Sequence, residues 1–313
     1  MRPRGPARLR LRTPMSELQP PVSGERVDLD TPAGRVAVFI AGEGAPLLLV
    51  HSVNAAACTA EIAPLHEHAR AARRVYSPDL PDFGLSDRSD RRYTPRLMTD
   101  AVIAVAERAS RDAGGRPVDA LALSLSTEFL TRAAVERPRL FGRLALVSPT
   151  GFQGGRTLRG AQGSTRAVPG MLTLLRGPGW GGLLFRALTR PGVVRFFLQG
   201  AFGSRRIDET LWRHAVATAR APGAEHAPLH FLSGGLFSAD LHDLQDRLLQ
   251  PVWVAHGRRG DFTDYRGLQR IGGRPNWRVS AWDTGAMPWF EQPEAFAAAL
   301  DDFLSLPIEE KLR

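Results

Sequence analysis

The sequence contains a single cysteine, Cys58, in 313 residues. One thiol excludes an intrachain disulfide framework and a zinc site built from several cysteines, and it favours a cytoplasmic protein. Lysine is equally rare, since Lys311 is the only one and arginine supplies the rest of the 41 basic residues. So one-sided a ratio indicates a bias in codon usage. The formal charge of +9 is therefore weak evidence for any particular partner.

Several other features are missing. No uncharged apolar run reaches the length of about 18 residues that a transmembrane helix needs. There is no nucleic-acid-binding module, Gly-rich phosphate loop or metal-ligand cluster, so we expect neither a nucleic-acid partner nor a cofactor. Acidic residues are absent from residues 151–207, where nine arginines alternate with short apolar runs. We interpret this segment as amphipathic helices with solvated basic faces; an anionic substrate or a membrane face is the alternative.

Short β-rich apolar runs alternate with helical patterns along most of the chain. Buried strands are expected at Pro46–Val50, Pro117–Leu123 and Arg143–Val147, and helices at Ala60–Ala72 and Thr94–Ala113. Alternation of this kind predicts an α/β fold, with a mostly parallel central sheet and helices on both faces.

The same patterns predict the organisation of the chain. Residues 1–14 carry five arginines and no acid. We expect them to be disordered, with Met15 as an alternative start. A first core part follows at residues 15–151. A helical insertion at 152–250 is expected to cover the carboxyl ends of the strands as a cap, where ligands bind in such folds. The core resumes at 251–313.

Ser124 lies where a predicted strand gives way to a helix, in Ala122-Leu123-Ser124-Leu125-Ser126. A nucleophile on so sharp a turn needs small residues two positions before and after it, and Ala122 and Ser126 meet that need. The amino end of the following helix favours negative charge that develops beside the serine. We therefore expect Ser124 to be a nucleophile and the Leu125 N–H to be one oxyanion donor; a serine in a surface turn is the alternative.

Further motifs, in the same order along the chain, resemble the α/β-hydrolase superfamily in its capped, epoxide-hydrolase-like or esterase-like branch. Residues 47–52 (LLLVHS) resemble the strand and His-Gly turn of the oxyanion hole, with serine for glycine. Residues 79–86 (DLPDFGLS) resemble the Asp-x-Pro-Gly-x-Gly-x-Ser turn, with Asp82 for glycine. Residues 256–261 (HGRRGD) resemble the His-Gly-x-x-Asp turn with one residue inserted.

The resemblance covers about Val27 to Leu306 and implies roles for further residues. Val53 would supply the second oxyanion N–H, and His51 and Asn54 would lie at the pocket. Asp261 would be the triad acid. Asp264 is the alternative acid because the inserted residue blurs the register.

The triad histidine of the family has no counterpart. It should follow the last strand in a Gly-His-x-Pro-like turn, but here Ala286 occupies its position and no histidine follows His256. A standard Ser–acid–His triad therefore cannot be assembled from this sequence. Without a base the serine hydroxyl is a poor nucleophile near neutral pH. Losing one triad member typically leaves ~10³–10⁴-fold catalysis over water.

A replacement base must lie within hydrogen-bond reach of Ser124. Candidates lie at strand ends or late in the insertion: His51, His256, His226, His230 and His242. The histidines of outer helices are expected to face solvent: His66, His68 and His214.

Two classes of function remain. The first is a serine hydrolase of a carboxylic ester or related small acyl substrate, with a non-standard or impaired triad. The second is a catalytically degenerate small-molecule-binding protein, or a non-hydrolytic lyase or cyclase, that uses the same pocket. We favour the hydrolase because enzymes dominate this fold, which is an argument by analogy. A histidine beside Ser124 would strengthen it, and apolar surroundings would favour the binding protein.

Overall fold

The computed structural model describes residues 20–155, 157–177 and 180–308. The basic segment at residues 1–14 lies outside them. The strands are β1 (Glu25–Thr31), β2 (Gly34–Ala41), β3 (Ala45–Val50), β4 (Arg73–Pro78), β5 (Val118–Leu123), β6 (Phe141–Val147), β7 (Val252–Gly257) and β8 (Trp277–Trp282). They form one sheet in the order β1-β2-β4-β3-β5-β6-β7-β8. β2 runs antiparallel to β1 and β4, and the other pairings are parallel. The predicted α/β class is confirmed.

The α-helices are α1 (Ala63–Ala69), α2 (Pro95–Asp112), α3 (Ser126–Glu136), α4 (Met171–Leu175), α5 (Gly181–Leu188), α6 (Pro191–Phe202), α7 (Glu209–Thr218), α8 (His226–Leu232), α9 (Leu241–Asp246) and α10 (Pro293–Ser305). The helix expected over Ala60–Ala72 is shorter than predicted. A 3-10 turn at Thr59–Ile62 precedes it, and α1 begins with a proline in its first turn. Within the described chain, no helix is long and apolar enough to cross a membrane.

Side chains of the central strands alternate between two apolar cores. Leu48 and Val50 of β3 point into a core shared with α2 and α3. Leu47 and Leu49 point into the other, shared with α1 and α10. Because helices cover both faces of the sheet, every side chain in such a strand is buried. This explains why the sequence shows continuous apolar runs rather than an apolar–polar alternation.

Residues 148–251, between β6 and β7, contain helices α4 to α9 and are called the insertion below. Its helix α6 ends against the loops that follow β7 and β8. The Asp261 N–H donates to Gly200 O at 3.1 Å, and the Ala286 N–H donates to Ala201 O at 2.7 Å. These core amides satisfy carbonyls in the last turn of α6, which have no partner within the helix.

A second helix of the insertion reaches the loop after β4. The Ala227 N–H in the first turn of α8 donates to Asp82 Oδ2 at 2.5 Å. The insertion thus contacts loops at the carboxyl edge of the sheet, the edge at which parallel α/β folds bind ligands.

Candidate functional site

Ser124 lies on a sharp turn between β5 and α3. Its φ angle is +56°, in the left-handed region that few residues other than glycine adopt. Its N–H donates to Val147 O on the neighbouring strand at 2.8 Å. Among the described residues, two others besides glycine have positive φ angles, Asp82 at +79° and Ser148 at +46°. All three follow the carboxyl ends of strands, and backbone strain of this kind is concentrated at functional sites.

The loop after β3 is held by one buried carboxylate. The N–H and hydroxyl of Ser52 donate to the two Glu61 oxygens at 2.8 and 3.0 Å. Asn54 Nδ2 also donates to Glu61, at 2.9 Å, and Asn54 Oδ1 accepts the Ala56 N–H. The Asn54 side chain therefore orders this loop, and its amide is occupied there rather than directed to a ligand.

Two backbone amides at the site have no acceptor. Within the described part of the chain, neither the Val53 nor the Leu125 N–H donates a hydrogen bond. Both residues are buried, with 3% and 1% of their surface exposed. Buried amides without a partner are rare in proteins, and an oxyanion hole is one setting that requires them.

His51 and His242 have both ring nitrogens occupied by the backbone. His51 Nε2 accepts the Leu80 N–H at 2.9 Å, so Nδ1 carries the proton and donates to Ser52 O at 2.6 Å. His242 Nδ1 accepts the Leu158 N–H at 3.2 Å, and its Nε2 lies 2.9 Å from Gly151 O. Neither ring has a free lone pair, so neither can serve as the base without losing a hydrogen bond.

Three candidate bases remain. His226 begins α8 and is half-buried, and the other two have aromatic neighbours. His230 Nδ1 bonds His226 O at 2.9 Å, and its ring packs edge-on against Tyr93. His256 Nδ1 bonds Gly257 O at 3.0 Å, and its ring stacks on Tyr265 with the centroids 4.0 Å apart. Burial lowers the pKa of both imidazoles.

No histidine activates Ser124 in this structure. Across the residues described, the Ser124 hydroxyl forms no hydrogen bond to any side chain or carbonyl. Proton transfer to a base requires such a contact, directly or through one water. The structure therefore brings none of the candidate histidines into direct contact with the predicted nucleophile.

Ala286 is connected to the turn at Ser124 through Ser148. The Ser148 hydroxyl donates to Ala286 O at 2.8 Å, and Ser148 directly follows Val147, which accepts the Ser124 N–H. Asp261 is exposed and lies beside α6, where a Cβ added to Gly200 would come within 2.0 Å of its Oδ2. Since Ala286 and Asp261 bond consecutive α6 carbonyls, the two loops meet at one point.

Asp264, the alternative acid, has another function in the fold. Its oxygens accept two hydrogen bonds of 2.9 Å from the Arg266 guanidinium and one of 3.2 Å from the Gly154 N–H. The Arg266 hydrogen bonds hold the pKa of Asp264 well below its ordinary value. This carboxylate is occupied by a local ion pair.

The comparisons with known proteins agree with this fold. Residues 26–299 match the model of a family described as the alpha/beta hydrolase family. The chain is a member of the α/β-hydrolase family. No curated protein sequence matches it.

Solved structures similar to this α/β hydrolase are distant in sequence. A serine hydrolase involved in carbazole degradation superposes with a TM-score of 0.68 at 17% identity, covering 90% of this chain and 100% of that one. A meta-cleavage product hydrolase from Pseudomonas fluorescens gives 0.66 at 16% identity, covering 90% and 97%. The carboxylesterase CesB from Bacillus subtilis gives 0.67 at 17% identity, covering 92% and 94%. At such low identity these similarities show the fold alone.

One expectation about the outer histidines is wrong. His66 of α1 is fully buried, and its ring nitrogens lie 2.8 Å from Ser77 Oγ and 3.0 Å from Ser23 O. The chain before β1 covers this side of the helix, and burial lowers the pKa of His66. His68 is exposed as expected and pairs with Asp301. His214 is half-buried.

Two buried carboxylates join the core of this α/β hydrolase to the insertion, and the sequence patterns did not single them out as site residues. Glu128 of α3 accepts hydrogen bonds of 2.6 Å from both the Thr150 hydroxyl and the Ser238 N–H. Asp82 accepts the Tyr93 hydroxyl at 2.9 Å and the Ala227 N–H. Burial raises the pKa of each carboxyl to about 7, despite these hydrogen bonds.

The raised pKa of Glu128 predicts a pH-dependent stability. Between its ordinary value of 4.5 and about 7, the folded protein keeps a proton that the unfolded chain has lost. The contribution of Glu128 to the free energy of unfolding therefore falls as the pH rises through this window and levels off above it. The Glu128→Gln variant should be about 3 kcal/mol more stable than the wild type at about pH 8, and equal to it at about pH 4. Urea unfolding curves at several pH values measure this difference.

Glutamine keeps the shape of the side chain, and its amide can donate to the Thr150 hydroxyl while its oxygen accepts the Ser238 N–H. Exposed Glu294→Gln is the matched control, and it should leave the pH profile unchanged. Part of the pH dependence should persist in Glu128→Gln because Asp82 titrates with the same sign. Parallel profiles for wild type and Glu128→Gln would contradict the prediction.

The described residues contain no group of three or more histidine, cysteine, aspartate or glutamate side chains that could hold a metal ion.

Proposed function

We propose that this chain is an impaired serine hydrolase that binds a small carboxylic ester or related acyl compound. The observation that carries the proposal is the strained turn at Ser124, with a φ angle of +56° between β5 and α3. A residue other than glycine is held there at a cost of about 1–3 kcal/mol, and such strain is retained where it positions a reacting group.

The unpartnered amides supply the second part of the site. In the proposed reaction Ser124 Oγ forms a bond to the acyl carbonyl carbon, and its proton passes to water. The carbonyl oxygen becomes an oxyanion that accepts the Leu125 and Val53 N–H groups. The bond to a leaving phenolate then breaks. Water hydrolyses the acyl-serine, which releases the carboxylic acid and restores the serine hydroxyl. Oxyanion donors remain effective when a triad residue is missing, because they act on charge that develops in the transition state.

The missing base limits this chemistry to reactive esters. Phenolate-type leaving groups depart without an acid, whereas alkyl esters need one. We also propose that residues 152–250, within the insertion, act as a cap, since α6 and α8 bond the loops after β4, β7 and β8. In this proposal Asp261 is a remnant of the triad acid.

A small-molecule-binding protein without turnover is the second candidate. It is favoured by one observation, that the Ser124 hydroxyl has no hydrogen-bond partner in the described part of the chain. Such a protein would use the same oxyanion amides to hold a carbonyl or carboxylate and would never form the serine adduct.

Labelling with a fluorophosphonate separates the two candidates, because this probe mimics the acyl substrate and traps a reactive serine. We expect slow, stoichiometric modification of the purified protein, located at Ser124 by peptide mass spectrometry, and no modification of Ser124→Ala. Exposed Ser305→Ala is the matched control and should label like the wild type.

The folded state of every variant is checked by circular dichroism. A well-folded wild type that stays unlabelled after prolonged exposure would refute the hydrolase. Ligand screening by thermal shift on Ser124→Ala would then test the binding protein directly.

A further inference from the structure

We propose that helices α4 to α6 of the insertion form a surface that binds the anionic headgroup region of a lipid bilayer. The proposal concerns where the protein binds, and it is independent of the reaction proposed for Ser124.

The first observation is apolar exposure on consecutive helices. Five large side chains on or beside α4, α5 and α6 face solvent, with these exposed fractions: Leu174 57%, Trp180 41%, Leu183 58%, Phe196 68% and Phe197 55%. The three helices follow one another in the chain and pack together, α4 on α5 and α5 on α6. Single exposed apolar residues are ordinary, but a group on adjoining elements marks an interaction surface.

Helix α6 has apolar side chains on its outer side as well as on its inner side. Its inner side is already used, because Val194 and Phe202 are buried against the core and against α7. Phe196 and Phe197 nevertheless point outward, with their rings in edge-to-face contact at 5.7 Å. Large apolar side chains on two sides of one helix are expected to be covered on both, by protein or by a membrane. The outer side of α6 therefore lacks a partner among the residues that the structure describes.

The positive charge of this segment indicates an anionic partner. Residues 151–207 contain nine arginines and no acidic residue. Four arginines on or next to α5 and α6 are exposed and form no ion pair with any described residue: Arg186, Arg190, Arg205 and Arg206. Arginine beside exposed Trp, Phe and Leu is the composition of helices that lie in a membrane interface, where the charge contacts phosphate and the apolar side chains enter the acyl region.

Other occupants fit less well. A second copy of the same surface would bring uncompensated positive charge together, which opposes pairing. Nucleic acid would account for the arginines, but not for exposed leucine and phenylalanine side chains that need an apolar environment. An anionic bilayer satisfies both features at once.

Vesicle sedimentation tests the proposal with the full chain. We expect binding to phosphatidylcholine vesicles that contain about 30% phosphatidylglycerol, and weak binding to phosphatidylcholine alone. Phe196→Ser/Phe197→Ser should weaken partitioning about tenfold or more, and Arg186→Gln/Arg190→Gln about 30-fold. Raising the salt to about 0.5 M should weaken the wild type in the same direction.

Matched controls lie elsewhere on the molecule. Leu249→Ser/Val279→Ser removes two exposed apolar side chains, 63% and 49% exposed, outside α4 to α6. Arg111→Gln/Arg116→Gln removes two exposed arginines at the opposite edge of the sheet. Both controls should bind vesicles like the wild type.

Three outcomes would overturn the proposal. One is no binding to anionic vesicles by the folded protein. Another is binding that neither test variant weakens. The third is tight binding of a DNA duplex through these arginines without vesicle binding, which would assign the surface to nucleic acid. Since the readout is sedimentation, a failure here leaves the fluorophosphonate result at Ser124 unaffected.

Discussion

Replacing Arg132 with methionine is expected to lower the free energy of unfolding by about 3–5 kcal/mol. Arg132 lies on α3, two turns after Ser124, and its Nη2 is 2.6 Å from Asp240 Oδ1 in the insertion. Their side chains are only 6% and 4% exposed. Asp240 Oδ2 also accepts the Gly163 N–H at 2.7 Å, so its charge is surrounded by protein. Removing the guanidinium leaves a buried carboxylate without its counterion, which is the costly way to break such a pair.

The double variant Arg132→Met/Asp240→Asn separates the cost of an unpaired charge from the value of the pair. Asparagine keeps an acceptor for the Gly163 N–H, and no charge remains buried, so we expect most of the lost stability to return. Arg35→Gln is the matched control. It breaks a pair with Asp87 of the same 2.6 Å length, but those side chains are 49% and 45% exposed, so the loss should be far smaller than for Arg132→Met.

Urea unfolding at neutral pH, followed by tryptophan fluorescence, measures all three variants against the wild type. Equal losses for Arg132→Met and Arg35→Gln would show that the buried pair between the core and the insertion stabilises the fold no more than an exposed pair does. No recovery in the double variant would show that the loss arises from packing of the arginine stem rather than from the unpaired Asp240.

The pair also illustrates which features the sequence could predict. Strands, helices and the turn at Ser124 follow from patterns a few residues long, since periodicity and small flanking residues are local signals. Arg132 and Asp240 are 108 residues apart, and nothing local marks either as buried. Their contact exists only because the insertion folds back over α3.

The prediction that His66 faces solvent failed for the same reason. The sequence pattern indicates that its helix is an outer helix. Ser23, 43 residues earlier, nevertheless lies over the ring and supplies a carbonyl oxygen as hydrogen-bond acceptor. Asp82 shows the intermediate case. The sequence reveals it as a departure at a glycine position, and aspartate tolerates the φ angle of +79° observed there. That its carboxylate bonds α8 depends on the tertiary fold.

The largest functional effect is expected at Ala286, the position predicted for the triad histidine. The Ser148 hydroxyl donates to Ala286 O, and Ser148 follows the residue that accepts the Ser124 N–H. Asp261 and Ala286 bond the same end of α6. Hydrogen bonds of these loops thus connect the predicted nucleophile, the predicted histidine position and the predicted acid position. The Asp261 carboxylate forms no side-chain hydrogen bond with any residue that the structure describes, so it is available to orient an imidazole.

Ala286→His is therefore expected to raise kcat/KM for p-nitrophenyl acetate about 100-fold, because a positioned general base typically contributes 10²–10⁴-fold. Ala286 is only 8% exposed, so the added ring should cost about 1–3 kcal/mol of stability, and thermal unfolding must show that the variant remains folded.

Ala286→Asn controls for added volume without a base and should gain no activity. Adding Ser124→Ala should abolish the gain, and adding Asp261→Asn should reduce it at least about tenfold. A folded Ala286→His no faster than Ala286→Asn would mean that the loops no longer direct a side chain at position 286 toward Ser124, and the small-molecule-binding candidate would then be the better one.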